Sequence, residues 1–127
     1  GIEGDTSMRY ISIWRPTKFQ QPSPELQQKM GAFIAETVRA GVLLATEGFG
    51  PSCASDFRVR QDHGTLRVTD GPFTEAKEVI GGFAIMQVKS REEMLEWTRR
   101  FLEVAGDGEA EIHQLSDQAP LDLFKAS

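Results

Sequence analysis

Three residues of this sequence have side chains and neighbours that could hold or act on a small molecule: Asp70, Glu47 and His113. Asp70 opens an Asp-Gly-Pro turn, Glu47 lies in a Gly-rich stretch at 46–51, and His113 alternates with apolar residues near the C-terminal end. A carboxylate buried among aromatic side chains has a raised pKa and can act as a general base. A carboxylate at the rim of a cleft is instead hydrated, or it caps its own turn. Both roles stay open for the two carboxylates, and His113 fits a structural histidine better than a ligand-binding one.

Other reactive groups give weaker signals. Cys53 is the single cysteine, so no intramolecular disulfide is possible, and no Cys/His cluster with metal-ligand spacing is present. His63 lies in a polar turn, and no phosphate-binding Gly-rich motif occurs. Arg58, Arg60 and Arg67 could hold an anion, although pairing with acidic neighbours is the simpler role. We therefore expect neither a metal nor a cofactor.

The first half of the chain predicts a strand, a helix and a short apolar run. Residues 8–15 alternate, with Tyr10 and Trp14 on one face and Ile11 and Ile13 on the other. Ser23 and Pro24 announce an amphipathic helix over residues 24–40, and Gly41 supplies its stop. The apolar run 42–45 leads into residues 46–55, whose Gly and Pro content predicts an irregular loop that contains Glu47.

The second half predicts a hairpin, a buried strand, a second helix and a last strand. Residues 57–60 and 65–69 alternate about a turn, so that one hairpin face is apolar and the other carries three arginines. After the Asp70 turn, a single helical turn is possible at 74–78. The strand at 83–88 is apolar on both faces, Ser90 begins a helix with a capping box, and residues 109–115 form the last strand.

This order predicts an α+β fold, an antiparallel sheet with two helices on one face. Two helices hide one face of the sheet, and the other face would expose a larger apolar patch than monomers usually tolerate. A two-fold homodimer that packs sheet against sheet would cover it. A cleft between sheet and helices is then the expected place for a ligand, with Tyr10, Trp14, Phe83 and His113 as candidate binding residues.

The string DGPFTEAKEVIGGF at 70–83 resembles the DGPF group of the YCII-related family, together with AGVLLATEGFGP at 40–51 and VKSREEMLEW at 88–97. The likeness runs from about Met8 to Leu115. It implies a ferredoxin-like fold that pairs as a dimeric α/β barrel. Other members carry a histidine on the first helix, proposed to work with an aspartate as an acid/base dyad. Residues 24–40 contain no histidine, so the dyad does not carry over to this chain.

Three functions stay open at this stage. The first is a small dimeric binding or accessory protein with a modest apolar cleft. The second is a cofactor-independent enzyme in which Asp70 or Glu47 is the general base. The third, which rests on the genes that neighbour some family members, is a regulatory partner of an extracytoplasmic-function sigma factor.

Composition limits the remaining classes. The chain has 127 residues, 39% hydrophobic and 26% charged, as in one soluble globular domain. Its formal net charge is −5 and its basic residues are scattered, so no nucleic-acid partner is expected. No apolar run is long enough for a membrane span and no export signal is apparent, so we expect no membrane partner and a cytoplasmic location. Residues 1–7 are expected to be a tag remnant or disordered tail, 8–116 the domain and 117–127 a C-terminal tail.

Overall fold

The computed structural model describes residues 7–18, 21–75 and 80–116. Its elements, in chain order, are β1 (Met8–Pro16), α1 (Pro24–Arg39), β2 (Leu43–Gly48), β3 (Phe57–Asp62), β4 (Thr65–Asp70), β5 (Gly82–Val88), α2 (Arg91–Ala105) and β6 (Gly108–Gln114). The expected tail segments 1–6 and 117–127, and most of the helical turn expected at 74–78, lie outside the described residues.

Four strands form an antiparallel sheet in the order β2-β5-β1-β6. The two central strands, β1 and β5, are the ones whose sequences are apolar on both faces, which agrees with their interior positions. Together with α1 and α2, this sheet gives the α+β, ferredoxin-like fold that the sequence predicted.

Both helices begin and end where their capping residues indicate. The Ser23 hydroxyl accepts a hydrogen bond from the Leu26 amide at the start of α1, and Gly41, at φ 73°, follows its end. The serine half of the predicted capping box of α2 is formed, because the Glu93 amide donates to Ser90 Oγ. The Glu93 carboxylate accepts from the Lys89 amide, one residue before the cap, instead of from the Ser90 amide. Serine caps thus fix where each helix starts relative to the sheet.

The sheet has two chemically different faces. On the helix side, Tyr10, Met86 and Val88 form the buried core with Val42 and Met94. On the opposite side, the register places Ile11 beside Ile85 and Ile13 beside Phe83. Ile11, Ile13, Phe83 and Ile85, which we call the outer patch, are each half-buried in the single chain. The alternation predicted for β1 and β5 is confirmed.

The predicted loop at 46–55 is wrong in its first part. Thr46, Glu47 and Gly48 belong to β2 and pair with Ala84, Phe83 and Gly82 of β5. A Cβ atom at position 82 would lie 2.6 Å from the Glu47 carbonyl oxygen. The close approach that glycine allows lets these residues join the sheet, although their local sequence favours a loop.

The hairpin β3–β4 forms a sheet of its own instead of extending the four-stranded one. Its predicted faces are confirmed: Val59 lies opposite Val68, and Arg60 lies opposite Arg67. His63 and Gly64 make the turn with positive φ angles of 49° and 81°. In the described part of the chain, extensive packing of β3 and β4 is confined to each other.

Candidate ligand-binding site

A cavity of about 1020 Å³ lies between the helix-side face of the sheet and the two helices. Helix α1 packs against α2 and β2, and the space that remains between it and the central strands is this cavity. The volume is at the upper end of the range for sites that hold drug-sized molecules. The cleft expected from the sequence is therefore present, and its volume is larger than that of the modest cleft that was expected.

Four aromatic side chains from three elements form one continuous wall of the cavity. The rings of Trp14 and Phe101 meet edge to face with their centroids 5.3 Å apart. Phe33 on α1 lies 6.1 Å from Trp97 and 6.5 Å from Phe101. These separations lie within the range in which aromatic rings attract each other, so the wall is a connected aromatic surface.

Glycines on both sides determine where Trp14 lies. A Cβ atom at position 81 would come within 2.5 Å of Trp14 Cδ1, and one at position 108 within 2.4 Å of Cη2. Any larger residue at either position would displace the indole. Gly81, in the second half of the DGPF-like string, thereby has a direct part in shaping the cavity.

The cavity has few polar groups, and most of its hydroxyls already donate. Thr37 and Thr98 donate to the helix carbonyls of Ile34 and Met94, each at 2.8 Å, and Thr46 donates to the Phe83 carbonyl at 2.8 Å. Each of these threonines therefore has acceptor capacity left and no free proton. Two further hydroxyls line the cavity: that of Ser12, on the same face of β1 as Trp14, and that of Thr17, which is exposed at the margin.

Charged residues that line the cavity are all at its margin. Lys18, Glu47 and Asp107 are exposed, whereas the aromatic residues of the wall are half-buried. A ligand deep in the cleft would thus meet apolar and neutral polar groups, and a carboxylate only near the rim.

An arginine buttresses the aromatic wall. The Arg100 guanidinium lies 4.9 Å from the Trp97 ring centroid and 5.4 Å from that of Phe33, and it donates to the Glu36 carboxylate at 2.7 Å. This hydrogen bond and the guanidinium charge lower the pKa of Glu36. The contacts join α1 to α2. Sequence reasoning missed this cluster, because a Glu and an Arg 64 residues apart give no local signal.

The candidate ligand-binding residues predicted from the sequence fall in three places. Trp14 lines the cavity. Tyr10 is 9% exposed and belongs to the core, with its hydroxyl 3.7 Å from Met8 Sδ. Phe83 borders the cavity, but the register places its side chain in the outer patch, where it meets Phe49 edge to face at 6.5 Å. Three aromatic residues that were not among these candidates, Phe33, Trp97 and Phe101, join Trp14 on the cavity wall.

The candidate acid/base residues are not brought together in the cavity. Glu47 lies on β2 at the margin and is exposed, while Asp70 ends β4, opposite Phe57, and is also exposed. His113 is exposed on β6, where its Nε2 lies 2.5 Å from Glu111 Oε2. That contact, with a smaller contribution from Arg15, lowers the pKa of Glu111. Neither Asp70 nor His113 lines the cavity.

A four-stranded antiparallel sheet, two helices on one face and a cleft between them define this chain as a ferredoxin-like α+β domain with a cavity between its sheet and its helices. The family model for the YCII-related domain matches residues 8–116. The chain therefore belongs to the YCII-related family. A comparison with curated proteins gives no match.

Within the described ranges, no helix is long and apolar enough to cross a membrane. Among residues 7–18, 21–75 and 80–116, no three or more His, Cys, Asp or Glu side chains are grouped so that they could hold a metal ion.

Proposed function

We propose that this chain is a homodimeric binding or accessory protein of the DGPF group, which holds a small apolar molecule between its sheet and its helices. The observation that carries the proposal is the cavity of about 1020 Å³ with its continuous aromatic wall. Side chains of this size usually pack into a closed core. Here Trp14, Phe33 and Phe101 stay half-buried around open space, which a ligand would fill.

The homodimer is supported by apolar surface outside the cavity. The outer patch occupies the middle of the sheet face opposite the helices, and acidic and basic groups such as Glu111 and Arg15 flank it. A two-fold axis through this face would bring the two patches together and leave the charged residues at the rim, which is the usual anatomy of an interface.

The hairpin adds to the same argument. Phe57, Val59, Leu66 and Val68 are 53–62% exposed and lie on one face of the ribbon. An isolated two-stranded hairpin is marginally stable in water. Its base is fixed to the neighbouring loop, because the Gly71 amide donates to the Asp56 carbonyl at 2.7 Å and the Phe73 amide donates to Ser52 Oγ at 2.6 Å. A second copy of the chain is the partner that would cover its apolar face.

Position 31 offers a test of ligand binding with little risk to the fold. Gly31 is an exposed residue of α1 that lines the cavity, and a Cβ atom there would meet nothing within 4 Å. Gly31→Phe should fill the cavity, while Gly31→Ala leaves it open. In a thermal-shift screen of small aromatic and aliphatic compounds, hits should stabilise the wild type and Gly31→Ala but not Gly31→Phe. A screen without any hit, or hits that stabilise Gly31→Phe as much as the wild type, would overturn the proposed cavity function.

Sedimentation tests the homodimer separately. We expect a particle of twice the chain mass at micromolar concentration. A monodisperse 14.1 kDa monomer would refute pairing through the outer patch and the hairpin, yet it would leave the ligand screen unaffected.

One observation favours a second candidate, an enzyme with a carboxylate base. Glu47 is on the margin of the cavity, so it could reach a polar end of a bound molecule. If it does, Glu47→Gln should abolish turnover of any compound found by the screen and leave its affinity within about threefold, since an interaction made only in the transition state affects kcat. Turnover that persists in Glu47→Gln would exclude this role.

A further inference from the structure

The cavity wall carries two hydrogen-bonding groups without a partner in the protein. Within the described ranges, neither the Ser12 hydroxyl nor the Trp14 indole N–H makes a hydrogen bond, although both residues are only half-exposed. Every fully buried side-chain nitrogen or oxygen atom of the non-exposed residues there has a partner. Ser12 Oγ and Trp14 Nε1 must therefore be accessible to water or to a ligand.

Both groups belong to the same side of the cavity. Ser12 and Trp14 are two residues apart on β1, so their side chains point to one face with Cα atoms about 7 Å apart. That face is the helix side, because Trp14 meets Phe101 of α2 there. The indole can only donate a hydrogen bond, and the serine hydroxyl can donate one. A ligand atom that accepts hydrogen bonds would satisfy either group.

Three other hydroxyls on the wall do not compete for this role. The protons of Thr37, Thr46 and Thr98 are bonded to backbone carbonyls, so none of them donates to a ligand. The other lining residues with side-chain donors, Thr17, Lys18, Gln21 and Gln27, are all exposed at the margin of the cavity. Away from this margin, the free donors on the described wall are Ser12 and Trp14, beside the aromatic rings. This places a ligand's acceptor next to its ring system.

The walls select against charge and favour flat rings. A charged group in the cleft would lose its hydration without gaining an ionic partner, because Lys18, Glu47 and Asp107 lie at the exposed margin. The edges and faces of Trp14, Phe33, Trp97 and Phe101 can make offset or edge-to-face contacts with an added ring. An aliphatic molecule of equal size would gain burial but not these contacts.

We propose that the cavity binds an uncharged, planar aromatic molecule whose carbonyl or ether oxygen accepts hydrogen bonds from Ser12 and Trp14. This inference rests on the proposed ligand-binding function and specifies its chemistry. It assigns the specificity to the part of the described wall where the donors of Ser12 and Trp14 adjoin the aromatic rings.

Three matched probes test the proposed chemical class of the ligand. Coumarin is planar, neutral and carries a carbonyl; octahydrocoumarin keeps the lactone but is aliphatic; coumarin-3-carboxylate keeps the rings but is anionic. The chain has two tryptophans, Trp14 and Trp97, and both line the cavity, so quenching of intrinsic fluorescence reports directly on the site. We expect coumarin to bind the purified protein at least about tenfold more tightly than either analogue, a difference of about 1.4 kcal/mol.

Two variants test the hydrogen bonds. Ser12→Ala and Trp14→Phe each remove one donor, and each should weaken coumarin binding about three- to tenfold, as expected for the loss of one hydrogen bond. Trp97 still reports in Trp14→Phe. Thr69→Ala, which removes an exposed hydroxyl from the hairpin, is the control and should change nothing.

Each of the other possible outcomes refutes one defined part of the proposal. Equal binding of octahydrocoumarin refutes the aromatic preference, and equal or tighter binding of the carboxylate refutes the exclusion of charge, while the ligand-binding function stands in both cases. Unchanged affinity in Ser12→Ala and Trp14→Phe refutes the two donors. If no probe quenches the folded protein at millimolar concentration and the broader screen is also empty, the proposed function fails with this inference.

Discussion

Replacing Gly82 with alanine should destabilise the fold, because the strand pair β2–β5 leaves no room for a methyl group. The added Cβ would lie 2.6 Å from the Glu47 carbonyl oxygen and 3.2 Å from Gly48 Cα. Both are backbone atoms of a paired strand, so no side chain can turn away to relieve the contact. Strand β2 would have to move, and with it Thr46 and Glu47 at the edge of the cavity.

The size of the effect follows from two opposing contributions. Overpacking of a well-packed site costs about 1–3 kcal/mol. Alanine in place of a strand glycine recovers about 0.5–1 kcal/mol, because the unfolded chain loses conformational freedom. We therefore expect Gly82→Ala to lower the free energy of unfolding by about 1–2 kcal/mol. Gly31→Ala is the matched control: its Cβ meets nothing, so it should gain about 0.5–1 kcal/mol in α1.

Urea unfolding followed by tryptophan fluorescence measures both variants. With a slope of about 1–3 kcal/mol per M, the midpoints of the two variants should differ by about 1 M, with the wild type between them. Protein concentration must be equal in all samples, because the proposed dimer would make apparent stability depend on it. A Gly82→Ala midpoint at or above that of the wild type, at unchanged slope, would refute the close approach of β2 and β5.

Three further predictions concern other parts of the molecule. The Arg100 hydrogen bond holds the pKa of Glu36 below its ordinary value of 4.5, so this pair stabilises the fold above that pH and its contribution is lost as pH falls through the lowered pKa. Between neutral pH and the acid range, the urea midpoint of Glu36→Gln should therefore change less than that of the wild type. Parallel pH curves for the two proteins would contradict the pairing. Ser90→Ala removes the cap of α2 and should cost about 1 kcal/mol in the same urea assay. A neutral result would mean that the hydrogen bond from the Lys89 amide to Glu93 is enough to hold the helix start. Val59→Asp should reduce the dimer fraction in sedimentation while the circular dichroism spectrum stays unchanged. Thr69→Asp, on the opposite hairpin face, should leave the dimer fraction unchanged. Equal dimer fractions in the two variants would mean that the apolar hairpin face takes no part in pairing.

Local signals were enough for most of the fold. Ser23 and Ser90 fix the helix starts because a serine hydroxyl that accepts from a first-turn amide acts within a few residues. Period-two alternation gave the faces of β1 and of the hairpin, since it depends on the strand alone. The last strand was found in the same way, with Ile112 and His113 on opposite faces.

The extent of β2 could not be predicted in this way. Glu47 and Gly48 have loop-forming neighbours, and what makes them strand is their pairing with Phe83 and Gly82, more than 30 residues away. The same limit applies to the cavity. Helical periodicity marks Phe33, Trp97 and Phe101 as inward-facing, but it does not distinguish a side chain packed in a core from one that borders open space.

Two incompletely buried surfaces of this chain differ in chemistry, and that difference separates the proposed ligand binding from the proposed dimer formation. The inner surface is aromatic and carries free donors at Ser12 and Trp14, which suits a flat polar-edged molecule. The outer patch is mainly aliphatic, with Ile11 and Ile85 at its centre, which suits a second sheet packed face to face. Because β1 directs alternate side chains to these two surfaces, Ser12→Ala acts on one of them and a change at Ile11 on the other. Loss of ligand binding with the dimer intact, and loss of the dimer with binding intact, are therefore both attainable by single substitutions on one strand.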